Sequence, residues 1–202
     1  PEMLEQLEQI LVALDSDRDV RVVLLTAVGD RSFCAGADIK RFKALQPLDM
    51  WALWTRRGHR VFDRLAGLRQ PTIAAVNGPA IGAGCCVALA CDLRIAAREA
   101  KLGLNFNRLG LHPGMAATWT LPRIVGPALA AELLYTGRIL DGAEAERIGL
   151  VNRAVSRESL QGEALALARS IAESAPLSVR ATKVRLLAKA LVRLAPPELV
   201  LS

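Results

Sequence analysis

Two segments of the chain carry residue types that could do chemistry on a small ligand. Residues 32–40 (SFCAGADIK) and 76–84 (VNGPAIGAG) each join a predicted strand to a predicted helix through small residues. Small residues let a ligand approach the backbone closely, and a helix N-terminus offers free N–H groups. Two such donors aimed at one point would form an oxyanion hole, which stabilises negative charge on a carbonyl oxygen. Each segment alone is also typical of an ordinary tight turn.

The sequence contains only two histidines, His59 and His112, as candidates for proton transfer near neutral pH. His112 lies in the loop-like sequence LHPG at 111–114, where a histidine bonded only to backbone is the alternative interpretation. His59 has Arg57 and Arg60 beside it, and these charges favour a solvated helix face.

Composition limits the possible classes of protein. The chain has 202 residues, of which 52% are hydrophobic and 23% charged, which predicts one folded domain rather than a disordered chain. The net charge is +6, but the basic residues are dispersed and aromatic residues make up only 4%, so nucleic-acid binding is not expected. No apolar run reaches the roughly 20 residues that span a bilayer, so no membrane association is expected either.

The cysteines are expected to be reduced thiols. None of Cys34, Cys85, Cys86 and Cys91 forms a CxxC pair, and with two histidines a metal site is not expected. No basic-then-apolar leader opens the sequence, so we expect a cytoplasmic protein.

Hydrophobic periodicity and turn residues predict alternating helices and strands, which is typical of an α/β fold with crossover connections. Pro122 and Pro127 are expected to interrupt the helical region 115–135, and Asp141 is expected to cap a short helix. The predicted helices are 1–14, 48–69, 82–90, 115–135, 141–148, 158–174 and 177–194. The predicted strands are 20–26, 72–76, 92–96 and 150–155.

In their order and spacing, several motifs resemble the crotonase superfamily, also called the enoyl-CoA hydratase/isomerase family. The matching motifs are FCAGADIK (33–40), PTIAAVNG (71–78), GAGC through CD (82–92), LG with PG (109–114), LYTGR (134–138) and 145–151. The resemblance implies the ClpP/crotonase fold, which is built of repeated ββα units with flanking helices. Residues 1–202 would form a single domain that lacks the family's first strands and last C-terminal helices.

The resemblance also implies a substrate and a site. Members bind acyl-CoA thioesters, and the matching positions for the two oxyanion-hole N–H groups are Ala37 and Ala83. Ala35, Ala37, Asp38, Ile39 and Lys40 would cradle the CoA moiety, with Lys40 as the candidate phosphate partner. No cofactor is implied, because the CoA thioester is the substrate itself. The family's assemblies imply a homotrimer or hexamer.

The sequence departs from the family's hydratases at both catalytic carboxylates. The position of one glutamate is Cys86, and the position of the other is Phe106. Neither side chain replaces a carboxylate in acid/base chemistry, and each lost group typically costs about 10²–10⁴-fold in rate. This argues against hydration by the usual carboxylate pair.

Three functions therefore stay open. The first is an acyl-CoA enzyme of the hydratase or isomerase type that uses His112 as its acid/base group. The second is an acyl-CoA binding protein with little turnover. The third is a thioester hydrolase or acyl-transfer enzyme that uses an activated water or Cys86, whose thiol pKa the helix dipole would lower.

Five aromatic residues are expected in the interior or around the ligand. Trp51, Trp54 and Trp119 are expected in pocket walls or in the core, and apolar walls near Trp51, Phe106 and Trp119 suggest a hydrophobic acyl group. Tyr135 is expected to pack in the core.

Overall fold

The structure is a computed structural model that describes residues 2–29, 31–42 and 45–192. The helices are α1 (Glu2–Ser16), α2 (Ile39–Phe42), α3 (Pro47–Asp49), α4 (Arg57–Ala66), α5 (Ala83–Ala90), α6 (Ala117–Val125), α7 (Pro127–Thr136), α8 (Gly142–Arg147), α9 (Arg157–Glu173) and α10 (Pro176–Val192). The strands are β1 (Val23–Leu25), β2 (Thr72–Val76), β3 (Ala80–Ile81), β4 (Leu93–Ala97), β5 (Lys101–Gly103), β6 (Leu140–Asp141) and β7 (Arg153–Val155). A π-helix, Met50–Arg56, joins α3 to α4, and a 3₁₀-helix, Phe106–Leu109, follows β5. The end of the last predicted helix and the rest of 193–202 lie outside the described residues.

Two sheets organise the fold. The larger sheet is parallel, in the order β1-β2-β4-β7, and the smaller has the order β3-β5-β6 with only β5 and β6 antiparallel. Strand β2 is buried at every residue, as expected of a central strand in a parallel sheet covered on both faces. Helix α9 packs against β1, β2 and β4 on one face. The predicted α/β architecture with crossover connections is confirmed, and no helix within the described ranges is both long and apolar enough to cross a bilayer.

The structure corrects the sequence interpretation in detail. The helix predicted over 48–69 contains a π-helical stretch near its start, Met50–Arg56. Pro122 does not interrupt the next helical region but lies inside α6, whereas the interruption expected near Pro127 is confirmed: the break falls at Gly126 (φ 85°), and Pro127 is the first residue of α7. The predicted cap is confirmed, because Asp141 Oδ1 accepts the N–H of Glu144 at 2.8 Å. Strands β3, β5 and β6 have two or three residues each, too few to show a periodicity.

The two glycine-containing segments lie side by side. The N–H groups of Phe33 and Cys34 each donate to the carbonyl oxygen of Pro79 at 3.1 Å, and that of Ile81 donates to Cys34 at 3.0 Å. Gly36 adopts a φ of +96°, and a Cβ there would lie 2.7 Å from the carbonyl oxygen of Ile81. Only glycine combines that conformation with such a close approach.

Candidate active site

A cavity of about 340 Å³ opens where these two segments meet, and we call it the central cavity. Its walls come from four stretches of chain: the loop before α2, the helical region from the π-helix into α4, the turn into α5, and the segment 105–115. The lining residues are Ala35, Gly36, Ala37, Ile39, Met50, Trp54, Thr55, His59, Ile81, Gly82, Ala83, Asn105, Phe106, Leu109, Leu111, His112, Pro113, Gly114 and Met115. No lining side chain in this part of the described structure is a carboxylate.

A second cavity of about 360 Å³ adjoins the central one. The two cavities share Gly36, Ala37, Trp54 and Ala83 as lining residues. Because both cavities include Ala37 and Ala83, the backbone of these two residues lies at their junction. A ligand that passes the junction would have one part on each side of the two amides.

The Ala37 and Ala83 amides are available to a ligand. Ala83 is the first residue of α5, so its N–H has no acceptor within the helix. A Cβ at Gly36 would lie 3.7 Å from the Ala83 nitrogen, which shows how closely the two backbones approach. Within the described ranges, neither N–H donates to a protein acceptor. The pair predicted from the sequence is therefore brought to one cavity with both donors unused.

The two positions where the family's hydratases carry glutamates have different surroundings. Phe106 lines the central cavity, and its ring lies 3.9 Å from where a Cβ of Gly82 would be. Cys86 is buried beneath the cavity without lining it, and its Sγ lies 3.8 Å from the carbonyl oxygen of Gly114.

The surroundings of Cys86 argue against the activated thiol that the hydrolase alternative needs. Burial raises the pKa of the Cys86 thiol well above its ordinary value, and the nearby Cys85 raises it further. The cost of placing a thiolate away from water outweighs any effect of the helix dipole. Cys86 therefore remains a protonated thiol.

Both histidines line the central cavity. His112 is exposed and lies on the loop between the 3₁₀-helix and α6. The Nε2 atom of His59 accepts the N–H of Met115 at 3.1 Å. His59 is exposed, as the arginines around it had indicated, and it also lines the cavity.

The CoA-side motif divides between the two cavities. Ala35, Ala37 and Ile39 line the central cavity, whereas Asp38 lines the second one. Asp38 Oδ1 also accepts the N–H of Lys40 at 3.0 Å. The Lys40 side chain is exposed and lines neither cavity, so its contact with phosphate stays a prediction.

Three aromatic residues do not lie where they were expected. Trp51 is 56% exposed and Tyr135 is 76% exposed, so neither lies in a wall or in the core. Trp119 lies outside both linings, and the guanidinium of Arg123 lies 2.9 Å from its ring centroid. Trp54 lines both cavities, which confirms its expected place in a pocket wall. Hydrophobic periodicity alone could not distinguish the core face of these helices from the outer one.

Asn105 is a polar residue of the cavity that sequence reasoning missed. Its Oδ1 lies 3.5 Å from where a Cβ of Gly82, the residue before Ala83, would be. In the described part of the chain, its side-chain amide has no protein hydrogen-bond partner. The available signal was a single amide residue beside Phe106 in an otherwise apolar stretch.

Comparisons with known proteins agree with this geometry. The family model for enoyl-CoA hydratase/isomerase matches residues 1–196. The chain belongs to the enoyl-CoA hydratase/isomerase family. A crotonyl-CoA hydratase from Syntrophomonas wolfei is 41% identical over 183 residues, which cover 89% of this chain and 69% of that protein. An (E)-benzylidenesuccinyl-CoA hydratase from Thauera aromatica is 41% identical over 184 residues, 91% of this chain and 71% of the relative.

Solved structures of the enoyl-CoA hydratase/isomerase family confirm the crotonase fold. An enoyl-CoA hydratase from Bacillus anthracis superposes with a TM-score of 0.89 at 37% identity, covering 94% of this chain and 76% of that one. The matched part of the chain thus spans 69%, 71% and 76% of the length of these three proteins.

Proposed function

We propose that this protein binds an acyl-CoA thioester and polarises its carbonyl group with the N–H groups of Ala37 and Ala83. The observation that carries the proposal is the pair of unused amides at the junction of two cavities. The chemistry is that of an enoyl-CoA hydratase or isomerase, which the family membership supports. The CoA thioester is the substrate, and the proposal needs no other cofactor.

The two amides would act on charge that develops during the reaction. As a nucleophile adds to the enoyl group or a proton leaves it, negative charge accumulates on the thioester oxygen. Two fixed N–H donors stabilise this enolate more than the neutral carbonyl, and one such donor is typically worth about 10²–10³-fold in rate. The segment 35–40 would hold the CoA moiety on one side of this point.

Proton transfer within the central cavity would depend on groups other than carboxylates, because none lines it. His112 is exposed to the central cavity, and an imidazole both accepts and donates protons near neutral pH. Asn105 lines the same cavity as Ala83 and offers an acceptor and a donor, which suits the orientation of a water molecule. We propose His112 as the acid/base group and Asn105 as the residue that orients water.

The alternative with the strongest support is an acyl-CoA binding protein with little turnover. The absence of a carboxylate from the described lining of the central cavity favours it, because the amides alone bind and polarise without moving a proton. A hydrolase that uses Cys86 as nucleophile is disfavoured, since that thiol is buried, protonated and outside the cavity lining. Hydrolysis by a water that His112 activates would use the same cavity.

Crotonyl-CoA turnover at high enzyme concentration tests the proposal. Hydration is followed by loss of the conjugated thioester absorbance and confirmed by a mass increase of one water. Turnover that disappears in His112→Ala, with acyl-CoA binding retained, supports the enzyme. Binding without turnover supports the binding protein, and release of free CoA supports the hydrolase. A protein that binds no acyl-CoA would contradict all three.

Assembly is a separate proposal. Family membership supports a homotrimer or hexamer of this chain, and light scattering across a concentration series tests it. A monomer at all concentrations would contradict it.

A further inference from the structure

The peptide unit between Gly114 and Met115 is held at both of its polar atoms. Its carbonyl oxygen accepts the N–H of Ala117 at 3.0 Å and lies 3.8 Å from the Cys86 thiol. Its N–H donates to His59 Nε2 at 3.1 Å. Groups from three helices therefore fix the plane of one peptide in the cavity wall, directly after His112 and Pro113.

The backbone that follows this peptide is in an unfavourable conformation. Met115 has a φ of 52° and Ala116 a φ of 58°, and both are non-glycine residues in the left-handed region. That region costs an L-residue about 1–2 kcal/mol, so two consecutive residues adopt it only where their surroundings hold them there. Met115 is buried, and its sulfur would lie 3.3 Å from a Cβ at Gly58. The loop is thus packed onto α4 at the positions of Gly58 and His59.

The hydrogen bond to Met115 defines the state of the His59 ring. An imidazole nitrogen accepts a hydrogen bond only through its lone pair, so Nε2 carries no proton while it accepts the N–H of Met115. In the neutral ring the proton is then on Nδ1. Because Nε2 is occupied by the protein, it is not available as a base toward a ligand.

We propose that His59 is a positioning residue, which holds the Gly114–Met115 peptide and thereby fixes the loop that carries His112. The proposal rests on the proposed function for its effect on turnover, but the contact itself can be measured without a substrate. Cys86 supports the same peptide from below, where its protonated thiol can donate to the Gly114 carbonyl.

Two substitutions separate this role from a merely structural one. His59→Gln keeps an acceptor oxygen at a similar distance from the main chain, whereas His59→Leu keeps the bulk and removes the acceptor. The matched control is Asp63→Asn, an exposed residue one turn further along α4.

The first measurement is made on the ligand-free protein labelled with ¹⁵N. Long-range proton–nitrogen spectra are expected to show His59 as the Nδ1–H tautomer. Amide exchange at Met115 is expected to be at least about fivefold faster in His59→Leu than in the parent, with His59→Gln and Asp63→Asn near the parent rate. An Nε2–H tautomer, or unchanged Met115 exchange in a folded His59→Leu protein, would overturn the proposal.

The second measurement is turnover. A misplaced loop is expected to lower kcat by about tenfold to a hundredfold in His59→Leu, to change KM less, and to be rescued in His59→Gln. Equal kcat loss in both variants, with Met115 exchange at the parent rate in His59→Gln, would overturn the positioning role. If the parent shows no turnover, the proposed reaction fails, while the tautomer and exchange results still decide the contact.

Discussion

A Cβ at Gly84 would overlap the carbonyl oxygen of Cys34. The backbone of the first turn of α5 therefore packs directly against the backbone of the segment before α2, and only a glycine fits at this contact. This contact holds the Ala37 and Ala83 amides at one cavity. The geometry of the proposed oxyanion hole therefore depends on a residue that touches no ligand.

Gly84→Ala is expected to force the two segments apart and to reduce the free energy of unfolding by about 3 kcal/mol or more, because the obstructing atom is backbone and cannot move alone. Urea denaturation checks the stability, and acyl-CoA titration checks the site. The matched control is Gly162→Ala in α9, where a Cβ would meet open space. That change is expected to stabilise the helix by about 1 kcal/mol. Two variants of equal stability would contradict the account.

His112→Ala is expected to reduce turnover of an enoyl-CoA by about 10²–10⁴-fold if the imidazole transfers the proton. Binding of a saturated acyl-CoA should change little, because the amides that hold the carbonyl remain. Steady-state kinetics and calorimetric titration measure the two effects separately. Turnover within twofold of the parent would assign proton transfer to another group.

The four thiols are expected to differ in reactivity. Cys34 is half-buried and lines the second cavity, whereas Cys85, Cys86 and Cys91 are buried. At pH 8 an alkylating reagent should modify Cys34 first and the other three only as the chain unfolds. Mass spectrometry of timed digests locates the label, and it should also find no acyl group on Cys86 after incubation with acyl-CoA. Rapid labelling of Cys86 in the folded protein would contradict the buried, protonated thiol.

Stability is expected to fall in alkaline solution. Burial raises the pKa of the Cys85 thiol from 9.0 to about 12, and it does the same for Cys91. Above pH 9 the unfolded chain releases these protons while the folded chain keeps them, so the unfolded state binds fewer protons and the free energy of unfolding decreases. Each thiol is expected to lower the free energy of unfolding by about 1.4 kcal/mol per pH unit. This loss of stability extends from pH 9 to about pH 12. Urea midpoints at pH 8 to 10.5 measure it, and Cys85→Ala should flatten the slope. An unchanged slope in that variant would contradict this account.

Much of the fold was readable from the sequence because its elements carry strong local signals. Strand β2 is a continuous apolar run, and Asp141 has the residue type and place of a helix cap. The short strands of the second sheet depend on pairing between distant segments, which no local pattern encodes. Tyr135 and Trp51 were misplaced because a single aromatic residue does not show which face of its helix is buried.

The site was predictable where its chemistry belongs to the backbone. Ala37 and Ala83 were found from small residues before helix N-termini and from the family resemblance, and the structure brings both to one cavity. The contact between His59 and Met115 joins residues 56 positions apart and depends on two left-handed residues, so the sequence offered no sign of it. The dipole effect considered for Cys86 is outweighed by its burial, and burial is common for a free cysteine.

The most direct test of the central claim is the absorbance spectrum of a conjugated aryl-acryloyl-CoA bound to the protein. Two N–H donors on the thioester oxygen draw electron density toward it, so the bound chromophore should absorb at longer wavelength than free ligand, whether or not turnover follows. Ala83→Pro removes one donor at a first helical position that tolerates proline, and it should reduce the shift. Ala83→Val adds bulk but keeps the N–H, and it should retain the shift. A ligand that binds with no shift in the parent protein would contradict the proposed oxyanion hole.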